Sequence, residues 1–473
     1  MRNIYDLLKF QAVTRPDAPF LVFDDYSLSY SEIFHRAEAL KATLQKNSIK
    51  AGDRVGICCL STESYVVCVL AVWSIYSVVV PMEASLSQEE KDVLIDVSRI
   101  NWLLQDGDIS SGAFSIEPRF PVSENEWPSG IRDPAQLLFT SGSSGVPKAV
   151  ILSHEALLAA ALECANSVAL RASDVQMTTV PFWHAYGQNR GLNATLYAGA
   201  SIAPVFEDDL GKRIASLKKI QPTVLLSMAG FFGFLAFSKQ PIGDNLRVAV
   251  AGAAPLPAPV LEKFEQLYGI PLLTTYGLTE FLIISCQRLD DKRVKGTVGF
   301  PSRGVELKIV DDDGNDVARG DQGHILVRGC LSMDGYLGLP DKNLSEDGWL
   351  DTEDIGVMDD SGLKVLGRVS AFVKKSGLKV YPIEIQNCLA GHPDVVDLAV
   401  AKFNSSLGSE DLVVDVVLKE GSDTSVSTLL DYCRENLPDY KVPAKCRKVS
   451  EIARLPSGKP DLVRIGKEVG AGR

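Results

Sequence analysis

The stretch Leu138-Phe139-Thr140-Ser141-Gly142-Ser143-Ser144-Gly145-Val146-Pro147-Lys148 gathers hydroxyls, glycines and one cation into eleven positions. Its chemistry is that of a phosphate cradle. Glycines let backbone N–H groups approach an anion closely, the serine and threonine hydroxyls add donors, and Lys148 ends the segment with a positive charge. The spacing is not that of a Walker A loop, which needs GxxxxGK[ST] and a following helix. A Gly/Ser run alone reads as a flexible turn. Here it lies between two apolar runs and closes on Pro147-Lys148, which favours the phosphate reading.

The elements that must hold this loop can be read from the apolar pattern. Arg54–Leu60 and Val78–Pro81 read as buried strands, and Glu32–Gln45 and Ser64–Ile75 as helices. Ala135–Thr140 and Ala149–Leu152 are strands on either side of the loop, and Glu155–Ser167 is an alanine-rich helix. Further strands fit Val224–Ser227, Arg247–Ala251 and Leu272–Thr275. Such alternation predicts α/β layers around a largely parallel sheet. After about residue 296 the texture changes. Val305–Val310, His324–Arg328 and Leu363–Leu366, with tight turns at 311–315 and 358–362, predict antiparallel β-structure. Beyond a plausible linker at 367–370, Pro382–Ala390 and Ser425–Asn436 read as helices, and Val395–Lys402 and Leu412–Leu418 as strands. The expected fold is therefore α/β. A large N-terminal region, 1–369, contains layered α/β subdomains and a β-rich subdomain. A smaller α+β C-terminal domain, 370–473, follows.

Composition narrows the function. Lys and Arg number 48 against 60 Asp and Glu, a formal charge of −12, which argues against nucleic acid or an anionic membrane as the main partner. Val66–Met82, the most apolar segment, is shorter than the ~20 residues of a membrane span; it reads as a buried helix leading into a core strand. The start of the chain shows no signal-peptide apolar region. Nine cysteines without a CxxC pair, most of them in apolar runs, read as buried thiols of a reducing cytoplasm. Five scattered histidines give no zinc spacing.

TSGSSGVPKAVILSH resembles the phosphate-loop motif of the adenylate-forming superfamily, which includes acyl- and aryl-CoA synthetases, luciferases and the adenylation domains of nonribosomal peptide synthetases. Further motifs follow in the expected order: Pro181-Phe182-Trp183-His184-Ala185-Tyr186-Gly187, Gly252-Ala253-Ala254-Pro255-Leu256, Thr275-Tyr276-Gly277-Leu278-Thr279-Glu280, Gly348-Trp349-Leu350-Asp351-Thr352-Glu353-Asp354, Gly367-Arg368, and Pro456-Ser457-Gly458-Lys459. The resemblance spans nearly the whole chain.

It implies a two-step, AMP-forming reaction. A carboxylate attacks the α-phosphate of Mg-ATP, and a thiol then displaces AMP. The nucleotide would be held by Thr140, Ser141, Gly142, Ser143, Ser144, Gly145 and Lys148 around the β- and γ-phosphates. Gly252, Ala253 and Ala254 would lie on the adenine side with Tyr276 stacked near the base, and Thr275, Gly277 and Leu278 would also meet the nucleotide. Asp354 would accept from the ribose hydroxyls, and Arg368 would meet the ribose or phosphate side. Thr279 would meet the α-phosphate, Glu280 would hold Mg2+, and Lys459 would bridge the carboxylate and α-phosphate in the adenylation transition state. With His184, these last three form the expected catalytic set. His184, Tyr186, Met228, Phe231, Gly252 and Leu278 would line the acid pocket. Lys375 and Gly377 would serve the thiol step, and Ser370 would be the hinge about which the small domain turns. Taken singly, each of these residues also has a structural reading as packing, a cap or a surface charge; the ordered set favours function.

The chain departs from the family pattern at several points. Glu353 stands where a glycine usually precedes the ribose aspartate, and Tyr76 where a small residue usually follows the preceding helix. Ser370 occupies a hinge position that is usually Asp or Lys. The aromatic motif lacks the acid that amino-acid-activating domains use to pair a substrate ammonium, so the expected substrate is an aryl or acyl acid rather than an α-amino acid. The expected acceptor is CoA, with Lys374, Lys375 and Lys379 as contacts. The alternatives are the phosphopantetheine thiol of a carrier protein or a non-catalytic homologue with a binding role. The expected partners are ATP, Mg2+, a small carboxylic acid and the thiol. Nucleic acid and a membrane span are not expected, and the expected location is the cytoplasm.

Overall fold

The computed structural model describes residues 1–106, 114–121, 127, 131, 133–141, 146–207, 209–340, 343–375, 378–404, 410–454 and 460–470. Local signals set the helix starts. Ser29 and Glu32 cap Tyr30–Lys46 reciprocally, and Ser87 and Glu90 do the same for Gln88–Ser98. Ser61 caps Thr62–Ser74 and Ser153 caps His154–Ser167. Such a cap is worth about 1 kcal/mol, because it satisfies a backbone N–H that the first helical turn leaves unbonded. Helix Thr62–Ser74 is buried without a break from Tyr65 to Trp73 and leads directly into the core strand Val78–Pro81. Each large apolar side chain so placed contributes about 1.5–3 kcal/mol of burial. Among the described residues no helix is long and apolar enough to cross a membrane.

Among the described residues, one sheet runs in the order Gly335–Tyr336, Pro147–Ser153, Pro134–Ser141, Val78–Pro81, Arg54–Cys58, Trp102–Asp106, Phe114–Pro118. Its interior pairs are parallel and its outer pairs antiparallel. The expectation of a largely parallel sheet holds for the middle of the sheet only. The strands that flank the phosphate loop, Pro134–Ser141 and Pro147–Ser153, instead pair antiparallel, and Thr140 faces Lys148. A second sheet carries parallel strands Leu272–Tyr276, Val248–Gly252, Val224–Met228, Val175–Thr178 and Ser201–Pro204. Their near-continuous apolar sequences fit strands covered on both faces. A four-stranded antiparallel sheet follows, Val305–Val310, Gln322–Gly329, Leu350–Asp359 and Gly362–Arg368.

The C-terminal part has its own core. Val373, Val380, Ile385, Leu389, Val414 and Leu429 cluster beneath strands Val395–Asn404, Glu410–Leu418 and Lys445–Lys448. Helices Pro382–Ala390, Val426–Asn436 and Leu462–Gly470 complete it. This small α+β unit leans on helices Ala229–Ser238 and Ala258–Tyr268 of the large one. Arg454 lies there, so that a Cβ built on Gly230 would sit 3.5 Å from its guanidinium.

Candidate active site

The parallel strands Val224–Met228, Val248–Gly252 and Leu272–Tyr276 end side by side, and the candidate site lies beyond their carboxyl ends, where open α/β sheets place their ligands. Gly252 closes its strand under the ring of Tyr186. A Cβ there would stand 2.5 Å from Tyr186 Cζ and 2.8 Å from the Thr275 methyl, so glycine is what lets these two predicted motifs touch. The Tyr186 hydroxyl donates to the Val250 carbonyl at 3.3 Å. Ala253 then turns with φ +61°, a left-handed backbone that an alanine adopts only under constraint.

After Tyr276 the chain folds back on itself. Leu278 N–H donates to the Phe281 carbonyl and Ile284 N–H to the Tyr276 carbonyl. A Cβ at Gly277 would lie 2.4 Å from the Leu282 carbonyl oxygen, so only glycine fits the bend. The tip carries half-buried Thr279 and Glu280. One Glu280 carboxylate oxygen accepts a 2.9 Å hydrogen bond from the hydroxyl of Tyr336, and the Lys148 ammonium lies 4.9 Å from the centre of the same ring. The predicted phosphate lysine and metal carboxylate thus share a tyrosine that the sequence reading had assigned no role. Its only signal was an aromatic residue inside a glycine-containing segment, Gly335-Tyr336-Leu337-Gly338.

Asp354 and Arg368 face each other across strands Leu350–Asp359 and Gly362–Arg368. Asp354 is 5% exposed, with one oxygen 2.5 Å from the Tyr276 hydroxyl and the other 3.1 Å from Arg368 Nε. Burial pushes its carboxyl above the ordinary carboxylate value, and Arg368 and the Tyr276 hydroxyl offset only part of that. Burial also drives the Tyr276 phenol well above its ordinary range, so it stays protonated and donates. Glu353, at the usual glycine position, keeps a glycine-like backbone at φ +58°. Its N–H donates to Asp351 at 2.8 Å, its carbonyl accepts from Val369 N–H at 2.8 Å, and its carboxylate lies 3.3 Å from Arg368. Tyr76, the other unusual residue, likewise sits at φ +56°.

The remaining predicted residues are spread more widely. His184 is half-buried beside the Trp183 ring, just before a π-helical segment, Gly187–Asn193. π-helical turns often mark functional sites. That segment buries Arg190, whose guanidinium reaches Ser167 Oγ at 2.9 Å and Thr275 Oγ1 at 3.5 Å, a support under strand Leu272–Tyr276 that the sequence reading missed. Met228 ends its strand half-buried. Phe231 instead enters the core beneath the second sheet with Ile214, Leu217 and Leu235, because it sits on the inner face of Ala229–Ser238. Lys375 turns inward, its ammonium donating to the Val442 carbonyl at 2.8 Å and pairing with Asp411 at 3.1 Å. Ser370 is exposed, and its carbonyl accepts from Lys402 Nζ at 2.6 Å. Gly142, Ser143, Ser144, Gly145, Gly377 and Lys459 lie outside the described residues.

Among the described residues no group of three or more His, Cys, Asp or Glu is gathered to hold a metal. A half-buried carboxylate that shares Tyr336 with the predicted phosphate lysine nevertheless suits Mg2+, which takes one or two carboxylates and completes its shell with substrate phosphates and water.

Residues 8–337 match the family model described as AMP-binding enzyme, and residues 384–459 match its C-terminal domain. The chain is 27% identical to a 3-[(3aS,4S,7aS)-7a-methyl-1,5-dioxo-octahydro-1H-inden-4-yl]propanoyl:CoA ligase of Rhodococcus jostii, over 92% of both chains. It is 28% identical to a 2-succinylbenzoate–CoA ligase of Bacillus velezensis, over 95% of both. The crystal structure of ATP-bound MatB from Rhodopseudomonas palustris superposes with a TM-score of 0.87, at 25% identity and over 99% of each chain.

Proposed function

The chain belongs to the AMP-binding enzyme family, and from that premise we propose that it joins a carboxylic acid without an α-ammonium group to CoA at the expense of ATP. In the first step a carboxylate oxygen attacks the α-phosphorus and pyrophosphate leaves. In the second a thiol sulfur attacks the acyl carbon, AMP leaves, and the thiol proton goes to solvent. Both reactants of the first step are anions, so positioning and neutralisation dominate.

The observation that carries this reading is the convergence, at one end of the second sheet, of Tyr276–Asp354–Arg368 with Lys148–Tyr336–Glu280. The first group would take the nucleoside: Asp354 accepts from the ribose hydroxyls, and Tyr276 and Gly252–Ala254 flank the adenine. The second would take the phosphates, with the 140–148 loop around them and Thr279 near the α-phosphate. Glu280 and the phosphates would hold Mg2+, which when bound supplies charge neutralisation. Lys459 would come from the small unit. In support, Arg454 and Pro460 pair as a β-bridge that closes the segment carrying Lys459, and Arg454 lies against Gly230. We place the joint between the units at Ser370.

His184, Tyr186, Met228, Gly252 and Leu278 would line the acid pocket. No carboxylate stands in the aromatic motif 181–187 to pair a substrate ammonium, and an unpaired buried ammonium is costly. CoA is favoured over a carrier protein because the relatives reported above are CoA ligases. The test is pyrophosphate release over a panel of aryl acids, fatty acids, dicarboxylates and α-amino acids, with CoA, with bare phosphopantetheine and with no acceptor. Turnover of an α-amino acid above all others would overturn the pocket assignment. Equal rates with CoA and phosphopantetheine would overturn the acceptor.

A further inference from the structure

We propose that Tyr336 is a positioning residue of the first half-reaction, one that holds the metal carboxylate Glu280 in register with the phosphate lysine Lys148. The inference rests on the roles proposed above for those two residues. Glu280 belongs to the loop after one sheet and Lys148 to the hairpin at the edge of another, so their relative placement needs a connecting part. The segment 331–337 is that part. On one side Leu282 N–H donates to the Leu331 carbonyl and Met333 N–H to the Glu280 carbonyl, at 3.1 and 2.8 Å, and Phe281 bridges Ser332. On the other side Gly335 pairs with Ile151 and Tyr336 with Val150, and Leu337 N–H donates to the Ala149 carbonyl at 2.9 Å. The segment therefore stitches the metal loop to the phosphate hairpin through backbone bonds. Tyr336 stands at the seam, 6% exposed.

Its side chain reaches both Glu280 and Lys148. The hydroxyl donates to Glu280 Oε1 at 2.9 Å; an ionised carboxylate only accepts, which fixes the direction of this bond. The ring face carries the Lys148 ammonium at 4.9 Å, within cation–π range. A glutamate and a lysine are long, rotamer-rich side chains, and ordering them opposes binding. Holding both before the nucleotide arrives removes that cost from the binding step, which is preorganisation in its ordinary sense. The hydroxyl acts on the metal side, the ring on the phosphate side, so two substitutions separate them.

Mn2+ binding to the enzyme with a non-hydrolysable ATP analogue, followed by electron paramagnetic resonance, reads the metal side directly. Analogue affinity measured without metal reads the phosphate side. Tyr336→Phe keeps the ring and should weaken Mn2+ about ten- to a hundredfold, the usual loss for a hydrogen bond to a charged group, while metal-free analogue affinity changes less than twofold. Tyr336→Leu should lose both. Adding Tyr336→Phe to Glu280→Gln should weaken Mn2+ no further. Unchanged Mn2+ affinity in Tyr336→Phe, with Glu280→Gln clearly impaired, would overturn the role of Tyr336 alone. Unchanged affinity in Glu280→Gln would overturn the metal assignment beneath it. A melting temperature matching the parent's in Tyr336→Phe confirms that the loss is local; a melting temperature that falls, with metal affinity intact at low temperature, overturns positioning in favour of a purely structural tyrosine.

Discussion

Tyr276 donates its phenol hydrogen to Asp354 at 2.5 Å, joining the end of a parallel strand to the middle of the antiparallel sheet. The bond has a consequence for pH. Burial raises the Asp354 carboxyl above its ordinary value, and Arg368 and the Tyr276 hydroxyl hold it down. The ionised form is the one that can accept two ribose hydroxyls, so nucleotide affinity should fall as pH drops through that raised value. Tyr276→Phe removes a donor to the charged form and raises the value further. The acid limb of AMP affinity against pH should therefore move to higher pH in the variant. A limb that stays in place, or moves to lower pH, would contradict the coupling.

Glu353 separates backbone from charge. A left-handed backbone costs a non-glycine residue about 1–2 kcal/mol, and glycine returns part of that gain through its freer unfolded chain. Glu353→Gly should stabilise the protein by about 0.5–1 kcal/mol in chemical denaturation, whereas Glu353→Gln, which keeps the strain, should not. Both remove a negative charge that pushes the Asp354 carboxyl up, so both should shift the acid limb of AMP affinity to lower pH. Stabilisation by Gln as large as by Gly would show that charge rather than φ sets the cost.

These cases show what was legible in the sequence. The phosphate loop is marked by its own chemistry, and Gly252, Gly277, Asp354 and Arg368 by ordered motifs that resemble the family's. The antiparallel pairing around the loop, the close approaches at the two glycines and the Asp354–Arg368 contact appear only in the structure. Helix Pro382–Ala390 and strand Val305–Val310 were read to the residue, because a first-turn proline and turn residues bound them. Tyr336 was not legible, since its meaning comes from partners 56 and 188 positions away in two different sheets. Arg190 was hidden for a related reason: a π-helical turn shifts which side chains point inward, so a 3.6-residue period misplaces them. Glu353 was visible as a departure, but its φ belongs to the turn, which keeps a glycine conformation after losing the glycine.

His154 has a different sensitivity to pH. It is fully buried, its ring 5.7 Å edge-on from Tyr76, and neither ring nitrogen has a hydrogen-bond partner among the described residues. Burial depresses it below the ordinary 6.5, although Asp133 and Asp6 pull it upward. A base whose folded value lies below its unfolded one is protonated first in the unfolded chain. The stability it permits is complete above about pH 6.5 and is lost as pH falls below that, until the folded form also protonates. Denaturant midpoints should decline from pH 7.5 to 5.5, and less steeply in His154→Leu. Parallel slopes would place the titrating group elsewhere.

Lys459 is expected to act in one step only. A cation that bridges the incoming carboxylate and the α-phosphate contributes while charge is redistributed there, and removing such a contact costs on the order of 10²–10³ in rate. Lys459→Ala should lower pyrophosphate release by that factor while sparing thioester formation from a supplied acyl-adenylate. Equal losses in both half-reactions would remove the assignment.

One contact ties the start of the small unit to its body. Lys402, on the small unit, donates to the Ser370 carbonyl at 2.6 Å, and its ammonium also lies 3.9 Å from Glu410 and 5.9 Å from the centre of the Phe372 ring. Rotation about φ or ψ of Ser370 carries that carbonyl along with the small unit, so the bond fixes the start of the small unit and leaves the rotation itself free. Arg454 of the small unit lies against Gly230, beside the strand that ends in Met228. Lys402→Met deletes the bond without touching the pivot, so the ratio of the two half-reaction rates should stay close to the parent's, and the melting temperature should stay within a few degrees of it. Ser370→Pro locks φ near −65° and acts on the pivot itself; it should impair one half-reaction far more than the other. If Lys402→Met shifts that ratio, or Ser370→Pro leaves it unchanged, the pivot is not at Ser370.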